Sequence, residues 1–531
     1  MSKNLRALAA RKGLQSSLLS TLQLGAQSAD GLNIEKMRAL AEETRFSPAA
    51  VLGTASFYDF LEPGRVPRRA RVCNGTACLM GGQQEGIHNQ LVHQHGADGV
   101  GEVACLGLCY RGGAYQLDGQ NFAGGSRTDA ADLSIPFHSA VENSLFDADT
   151  AEAESCYRLT PGDAPNIHHE LRLSHLRGRG GAGFPFARKV QLCEEANGST
   201  KYIVCNADEG DPGAFSDRWL LEERPQRVLA GMYAAAVAVG AHSGVLYLRA
   251  EYPEAALRVE AAIDAFHAGH PGEFRFHIVR GAGSYVCGEE TALLNSIEGL
   301  RPEVRVRPPY PAQAGLFGQP TLVSNVETFA CVPWILAHGG AAFATLGTRE
   351  SKGTKLVCLD RRFQRPGVYE VEMGTSLEWV VQGLGGGFIK PVKALQVGGP
   401  LGGVVPLSHI EGLGVDFESF ADAGFLLGHA SVVAIPADFP MLDFLRHLFH
   451  FCAEESCGKC YPCRLGTRRG FELLQAASPA QPLDPAVFAD LLETLELGSL
   501  CALGGGLPLP VRNVLEYFGD ELRPVLTGEG A

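Results

Sequence analysis

Eight of the fifteen cysteines fall into two spaced sets, and these sets constrain the fold more than any other feature of the chain. In ESCGKCYPCRLGT, Cys457, Cys460 and Cys463 stand at C-x2-C-x2-C spacing, and Cys501 follows in GSLCALGGG. Three thiolates on one tight loop with a remote fourth is the arrangement that holds a cubic [4Fe–4S] cluster. A structural zinc site is the alternative. Gly458 supplies the backbone freedom for a sharp turn around the metal. Cys452, close by, has the wrong spacing and reads as a small hydrophobe. The other set lies in RVCNGTAC and EVACLGLC, with Cys73 and Cys78 at C-x4-C and Cys105 and Cys109 at C-x3-C. Two pairs on glycine-flanked turns bring four thiolates to one point, which suits zinc or an iron–sulfur cluster, and spacing leaves the two open. Clustered cysteines in a long chain favour metal sites over disulfides, and so a reducing cytoplasm.

The chain has 531 residues, enough for several domains, and a net charge of −14 that argues against a nucleic-acid partner. No run approaches the ~18 apolar residues of a membrane helix, so no direct membrane insertion is expected. Lys3, Arg6, Arg11 and Lys12 precede the first acid, Asp30, a faint likeness to a transit peptide. The segment Asn4 to Leu24 reads better as an amphipathic helix. Helical spacing continues through IEKMRALAEET and SPAAVLGTASFYDF, where Ser47 caps and Pro48 takes the first helical position. Residues 70 to about 125 read as short strands with glycine-rich turns, followed by a loose segment to about 165. From Lys201 the strands YIVCN, GVLYLRA and FRFHIVR alternate with helices, the pattern of an α/β layer with a largely parallel sheet. A small β-rich unit spans about 352–430, and helices return from about 440. The expected domains are 1–60, 61–145, 146–350, 351–430 and 431–531.

RGRGGAGF, from Arg177 to Phe184, carries the G-x-G-x-x-G spacing of a dinucleotide fingerprint. Such a fingerprint follows a strand and opens directly into a helix. Here APNIHHELRLSHL, with helical spacing, precedes it, and Phe184-Pro185 follows, so the ordinary Rossmann reading fails. The loop still suits phosphates. Between Glu170 and Glu194 there is no acid, whereas Arg172, Arg177, Arg179, Arg188 and Lys189 are present. Exposed glycine N–H groups and these cations offset phosphate charge. Two further stretches, YIVCNADEGDPGAFSDR and GAGSYVCGEETALLNSIEG, place acids at a strand end and a helix start, where they accept bonds from ligand hydroxyls and ring N–H groups.

The helices up to ETRFSPAAVLGTASFY and the first cysteine pairs resemble the thioredoxin-like [2Fe–2S] subunit of respiratory complex I, the 24 kDa type. RGRGGAGFP, NADEGDPGAFSDR, GSYVCGEETALLNSIEGLRPEVRVRPPYPAQAGLFGQPT, SNVET and ESCGKCYPCRLGT resemble its 51 kDa NADH-binding flavin subunit, over roughly 165–520. The chain thus looks like a fusion of the two, as in the diaphorase subunits of NAD-reducing hydrogenases and NAD-dependent formate dehydrogenases. The resemblance implies an α/β multidomain fold: N-terminal helices, a thioredoxin-like [2Fe–2S] domain, a Rossmann-like FMN domain, a β-grasp domain around RPGVYEV and QVGGPLGGVVP, and a C-terminal helical [4Fe–4S] bundle. It selects [2Fe–2S] for the first cysteine set. It implies FMN held by Gly178, Gly180, Lys189, Asn206, Asp208, Tyr285, Gly288, Glu289, Val323, Asn325 and Thr328, and NAD(H) by Gly181, Phe184, Lys189, Asp211, Glu290 and Tyr310. Asp211 stands where complex I usually has Glu, and Ser324 where Asn is usual. Hydride transfer to the flavin needs no protein acid or base on the nicotinamide side. The implied partner is a catalytic subunit with a molybdenum or tungsten site for formate, or a nickel–iron site for hydrogen, and further iron–sulfur clusters. Formate dehydrogenase is the expected system, with the hydrogenase or a complex I module as alternatives.

Overall fold

The computed structural model describes residues 9–527 apart from residues 11–12, 16, 29–30, 65–66, 125–132, 148–149 and 271. The N-terminal region is helical, with helices Leu18–Ala26, Ile34–Thr44 and Pro48–Ala55. The one helix expected from Asn4 to Leu24 is interrupted: Ala9 and Ala10 are helical, a 3-10 turn stands at Gly13–Gln15, and a helix starts at Leu18. Ser17 sets that start by accepting the Ser20 N–H at 3.2 Å. Residues 4–8, 11–12 and 16 of the expected helix lie outside the described residues. These helices share their core with the rest of the chain: Leu18, Leu22 and Val51 join the cluster that contains Tyr247, Leu293 and Ile297.

Strands β1 (Ala70–Cys73), β2 (Val100–Val103), β3 (Tyr115–Leu117) and β4 (Gln120–Phe122) form a sheet in the order β2-β1-β3-β4, parallel between β1 and β2 and antiparallel elsewhere. Between β1 and β2 run helices Thr76–Gly81 and Gln84–His95, where the sequence suggested only strands and turns. Ile87 and Leu91, one turn apart, and Val92 pack the second helix on the sheet.

Strand β5 (Phe137–Ser139) comes next, in the stretch read as loose. Strands β6 (Tyr202–Ala207), β7 (Ser243–Leu248), β8 (Arg275–Arg280) and β9 (Thr321–Asn325) form an all-parallel sheet in the order β8-β7-β6-β9. Its helices Pro225–Val239 and Val326–His338 touch closely, because a Cβ at Gly231 would overlap the Phe329 carbonyl. Strands β10 (Thr354–Leu359), β11 (Gly367–Glu372), β12 (Val392–Val397), β13 (Gly403–Pro406) and β14 (Ser431–Pro436) build a mixed sheet, and β5 joins its edge by pairing parallel with β11. Helices Met441–Glu454, Tyr461–Ala476, Pro485–Gly498 and Pro508–Tyr517 complete the chain's C-terminal part. Among the described residues, no helix is long and apolar enough to cross a membrane.

Candidate functional site

The parallel sheet reverses its strand order between β6 and β9, and ligands of such sheets bind outside the carboxyl ends at that point. β9 ends there in Asn325, paired to Asn206 one residue before the end of β6. Asn325 caps helix Val326–His338 by accepting the Thr328 N–H at 3.3 Å. The Thr328 hydroxyl accepts the Arg179 N–H at 2.9 Å, which pins the glycine loop to this helix start. The loop's base is closed by the Gly178 N–H donating to the Phe184 carbonyl at 2.9 Å. A Cβ at Gly180 would sit 3.0 Å from Asn325 Cβ, and Gly181 has φ of +117°, so neither position tolerates a side chain well. The loop therefore runs bare along the Asn325 end of the crevice.

Its cations are divided. Arg179 is fully buried and donates to the Lys352 carbonyl. Arg177 pairs with Glu418, donates to the Gly183 carbonyl at 2.6 Å and lies 4.5 Å over the Phe417 ring. These two arginines brace the loop, although the sequence counted them against phosphate charge. Arg188 bonds Gln191 on the exposed side. Lys189 is the cation that spans to β9: its Nζ donates to the Val323 carbonyl at 3.0 Å and lies 3.5 Å from Glu290.

The opposite wall is acidic. Asn206 donates from Nδ2 to the Gly288 carbonyl at 2.8 Å, and Asp208 follows β6 beside it. Asp208 Oδ2 is buried with no partner, and burial pushes the carboxyl well above its usual range. A buried, unpartnered oxygen at a strand end is an acceptor or donor held ready for a ligand. Glu289 caps helix Glu290–Ile297, accepting the N–H groups of Thr291 and Ala292 at 2.9 Å each. Glu290 pairs with Arg307 at 3.2 Å. Asp211 accepts the Tyr285 hydroxyl at 2.7 Å, and burial raises its pKa. Phe184 and Tyr310 are 44% and 54% exposed, two rings available to a planar ligand. Ser324 is buried within β9. Phe184 is within 5.9 Å of Lys189 Nζ, whereas Tyr310 stands at the start of helix Pro311–Ala314, three residues after Arg307.

Several residues here carry no clear sequence signal. Arg307 balances Glu290 from 17 residues away. Asp217 accepts the Asn325 Nδ2 amide at 2.6 Å. Gly399 lies so close to Asp211 that a Cβ would overlap its carboxyl group, and only the glycine content of VGGPLGG hinted at a close approach.

The first cysteine set is assembled and buried. Cys105 and Cys109 Sγ are 3.8 Å apart, and Cys73 touches both Cys78 and Cys105 through sulfur. The Gly107 N–H donates to Cys105 Sγ at 3.3 Å, and the Gly213 N–H, from the segment after β6, donates to Cys109 Sγ at 3.2 Å. Four buried sulfurs in contact, free of disulfides and supplied with N–H donors, fit a metal cluster. In the second set, Cys457, Cys460 and Cys463 surround the start of helix Tyr461–Ala476, and Cys501 precedes helix Ala502–Gly505. Gly458 turns the loop at φ +76°. Burial pushes the Cys463 thiol up to about 11 and Cys501 up to about 12, so thiolates there need a cationic centre. Cys452 packs as a buried apolar residue.

Comparison with known proteins gives three family matches. Residues 171–334 match the Nuo51 FMN-binding domain, residues 443–524 the NADH-ubiquinone oxidoreductase-F iron–sulfur binding region, and residues 5–133 the thioredoxin-like [2Fe–2S] ferredoxin. The chain is 42% identical over 364 residues to an F-type component of NADH-quinone oxidoreductase from Rhizobium meliloti, covering 66% of this chain and 86% of that protein. It is 32% identical over 533 residues to the alpha component of the NAD-reducing hydrogenase HoxS of Cupriavidus necator, covering 90% and 86%. A crystal structure of an H2-reduced NAD+-reducing [NiFe]-hydrogenase superposes with a TM-score of 0.86 at 31% identity, over 96% of this chain and 93% of that one.

Proposed function

The chain belongs to the F-type family of NADH-quinone oxidoreductase components, with FMN-binding, [2Fe–2S] and [4Fe–4S] domains in one polypeptide, and from that membership we propose that it is the NADH-linked diaphorase subunit of a larger oxidoreductase. One observation carries the reading for the flavin site. The glycine loop is pinned to Asn325 and Thr328 across a crevice from Asp208, whose buried Oδ2 has no partner. FMN would lie there, its phosphate along the bare backbone of Gly178–Gly181 near the Lys189 ammonium, and its hydroxyls and ring against Asn206, Asp208, Gly288 and Glu289. The nicotinamide nucleotide would enter beside Gly181 and the exposed Phe184, bounded by Asp211, Glu290 and Tyr310. When bound, FMN supplies the exchange between a two-electron hydride and single electrons. The protein's part is to hold the two rings in contact, bury Asp208 and Asp211 so that burial raises the pKa of each carboxyl, and screen Glu290 with Lys189 and Arg307.

The terminal substrate is a finer proposal. Similarity spanning nearly the whole chain belongs to proteins named as NAD-reducing hydrogenases, which supports a nickel–iron partner. The formate reading rests on the likeness of a fused chain retaining Cys73, Cys78, Cys105 and Cys109 to formate dehydrogenase β subunits. Anaerobic purification from the native host tests both levels. One FMN and about six irons per chain are expected from one [2Fe–2S] and one [4Fe–4S] cluster. Zinc, or about four irons, would remove one cluster assignment. Copurifying nickel supports the hydrogenase partner, and molybdenum or tungsten the formate partner.

A further inference from the structure

The segment that leads into β14 reaches across to the crevice with two residues in the left-handed region, Gly428 at φ +54° and Ala430 at φ +62°. An alanine there is strained, and such strain is kept where the surroundings hold the chain for a purpose. Between them His429, 6% exposed, is turned inward. Its Nε2 lies 3.3 Å from Asp217 Oδ2 and 3.7 Å from Glu209 Oε1. Asp217 Oδ2 is the atom that accepts the Asn325 Nδ2 amide, and Asn325 is the residue against which Gly180 rests. Gly428 itself lies 3.5 Å from where a Gly181 Cβ would stand.

By residue type, Glu209, Asp217 and His429 could hold a divalent ion. Both Glu209 oxygens and Asp217 Oδ2 are already taken, and of the four carboxylate oxygens Asp217 Oδ1 alone has no partner. Glu209 Oε1 accepts the Asp217 N–H at 2.9 Å, and Oε2 accepts the Arg218 N–H at 3.0 Å and the Tyr252 hydroxyl at 2.9 Å. The group that balances the two carboxylates is the imidazole.

We propose that His429 is a positioning residue for the flavin, its Nε2–H orienting Asp217, which orients the Asn325 amide, which in turn seats the glycine loop. This rests on reading the crevice as the FMN site. Without the imidazole, Asp217 and Glu209 repel each other in a buried space, and Asp217 turns away from Asn325. Burial opposes the imidazolium, but the facing Asp217 and Glu209 carboxylates outweigh it and lift His429 to about 9. Lys355 on β10 opposes the charge and is itself paired with Glu327, while Asp211 adds a further favourable acid.

The test is FMN release from diluted holoprotein, read by flavin fluorescence, with iron content as the check on folding. His429→Ala is expected to weaken FMN binding about tenfold, the loss of one charge-assisted contact. Because both side chains act along one line, His429→Ala combined with Asn325→Ala should bind no more weakly than Asn325→Ala alone. His429→Gln keeps a donor without the charge and should recover part of the loss. Wild-type affinity should fall as pH rises through about 9, and His429→Gln should be flat over that range. Additive losses in the double variant, unchanged affinity in iron-replete His429→Ala or His429→Gln, or the same pH profile in wild type and His429→Gln would each overturn the proposal. A wild-type protein that binds no FMN would instead overturn the reading of the crevice.

Discussion

Replacing Arg249 by methionine should loosen the join between the N-terminal sheet and the parallel sheet. Arg249 follows β7 and is 4% exposed. Its guanidinium donates to the Glu209 carbonyl, to the Cys105 carbonyl at 2.6 Å and to Glu251 Oε1 at 2.8 Å. One buried cation thus ties the loop holding Cys105 to the segment that carries Glu209. Methionine keeps most of the stem but leaves Glu251 as a buried carboxylate, and Glu251 Oε2 already lacks a partner. Breaking one side of a buried ion pair costs about 3–5 kcal/mol. At 1.4 kcal/mol per tenfold, local opening should become roughly 10² to 4 × 10³ times more frequent. Hydrogen exchange with mass spectrometry on the holoprotein reads this directly. Peptides over residues 105–110 and 208–213 should exchange faster, while helix Pro485–Gly498 should be unchanged. Adding Glu251→Gln should restore most of the protection, because a neutral side chain is less costly to bury. An increase below about fivefold, or one equally large in the C-terminal helices, would refute the argument.

Three other outcomes follow from the same geometry. The second cysteine set reaches the surface, with Cys460 and Cys501 partly exposed beside Tyr461 at 76% exposure, whereas the first set is buried; Cys460→Ser should abolish electron exchange with the partner subunit yet spare NADH oxidation by a dye, and Cys78→Ser should affect coupled turnover less, an ordering disproved if folded, flavin-replete Cys78→Ser stops coupled turnover as fully. Lys189→Ala and Glu290→Gln should each lower dye-linked NADH oxidation roughly tenfold or more, the worth of one charged contact, with both clusters intact; normal rates in both would remove these residues from the site. His447, held near Thr76 at 3.3 Å, is pushed down to about 4 by burial, below its ordinary 6.5, so its contribution to stability is present above pH 6.5 and is lost as pH falls through about 4. His447→Gln should flatten that acid limb of the melting temperature, and identical pH profiles would show that another group governs it.

Much of this was legible along the chain. The C-x2-C-x2-C loop places three sulfurs together by covalent spacing, and Gly458 turns as its position required. Ser47-Pro48 starts a helix as a local cap, accepting the Ala50 N–H at 3.2 Å. The strands of YIVCN, GVLYLRA and FRFHIVR declare themselves by apolar runs between helical periods. The Asn4–Leu24 reading ran one helix through a break at Gly13–Gln15 because apolar period alone gives no start point, and the cap at Ser17 set the second start. The helices between β1 and β2 were missed because the first has only 6 residues and the second shows the sheet only Ile87, Leu91 and Val92.

What the sequence by itself determined is therefore the set of short-range parts: eight spaced cysteines, a glycine loop that opens no Rossmann helix, and acids at strand and helix ends. Tertiary structure decided which of those parts meet. It turned Arg177 and Arg179 away to brace the loop, left Lys189 to face Glu290, and brought β5 into a sheet more than 200 residues downstream. It set His429 against Asp217 across 212 residues, and Gly213 against Cys109 across 104. The physical reason is one of range. Spacing and periodicity fix geometry within a few covalent bonds or helical turns, whereas the partner of a buried charge or an unbonded N–H is chosen by whichever chain segment folding brings within about 3 Å.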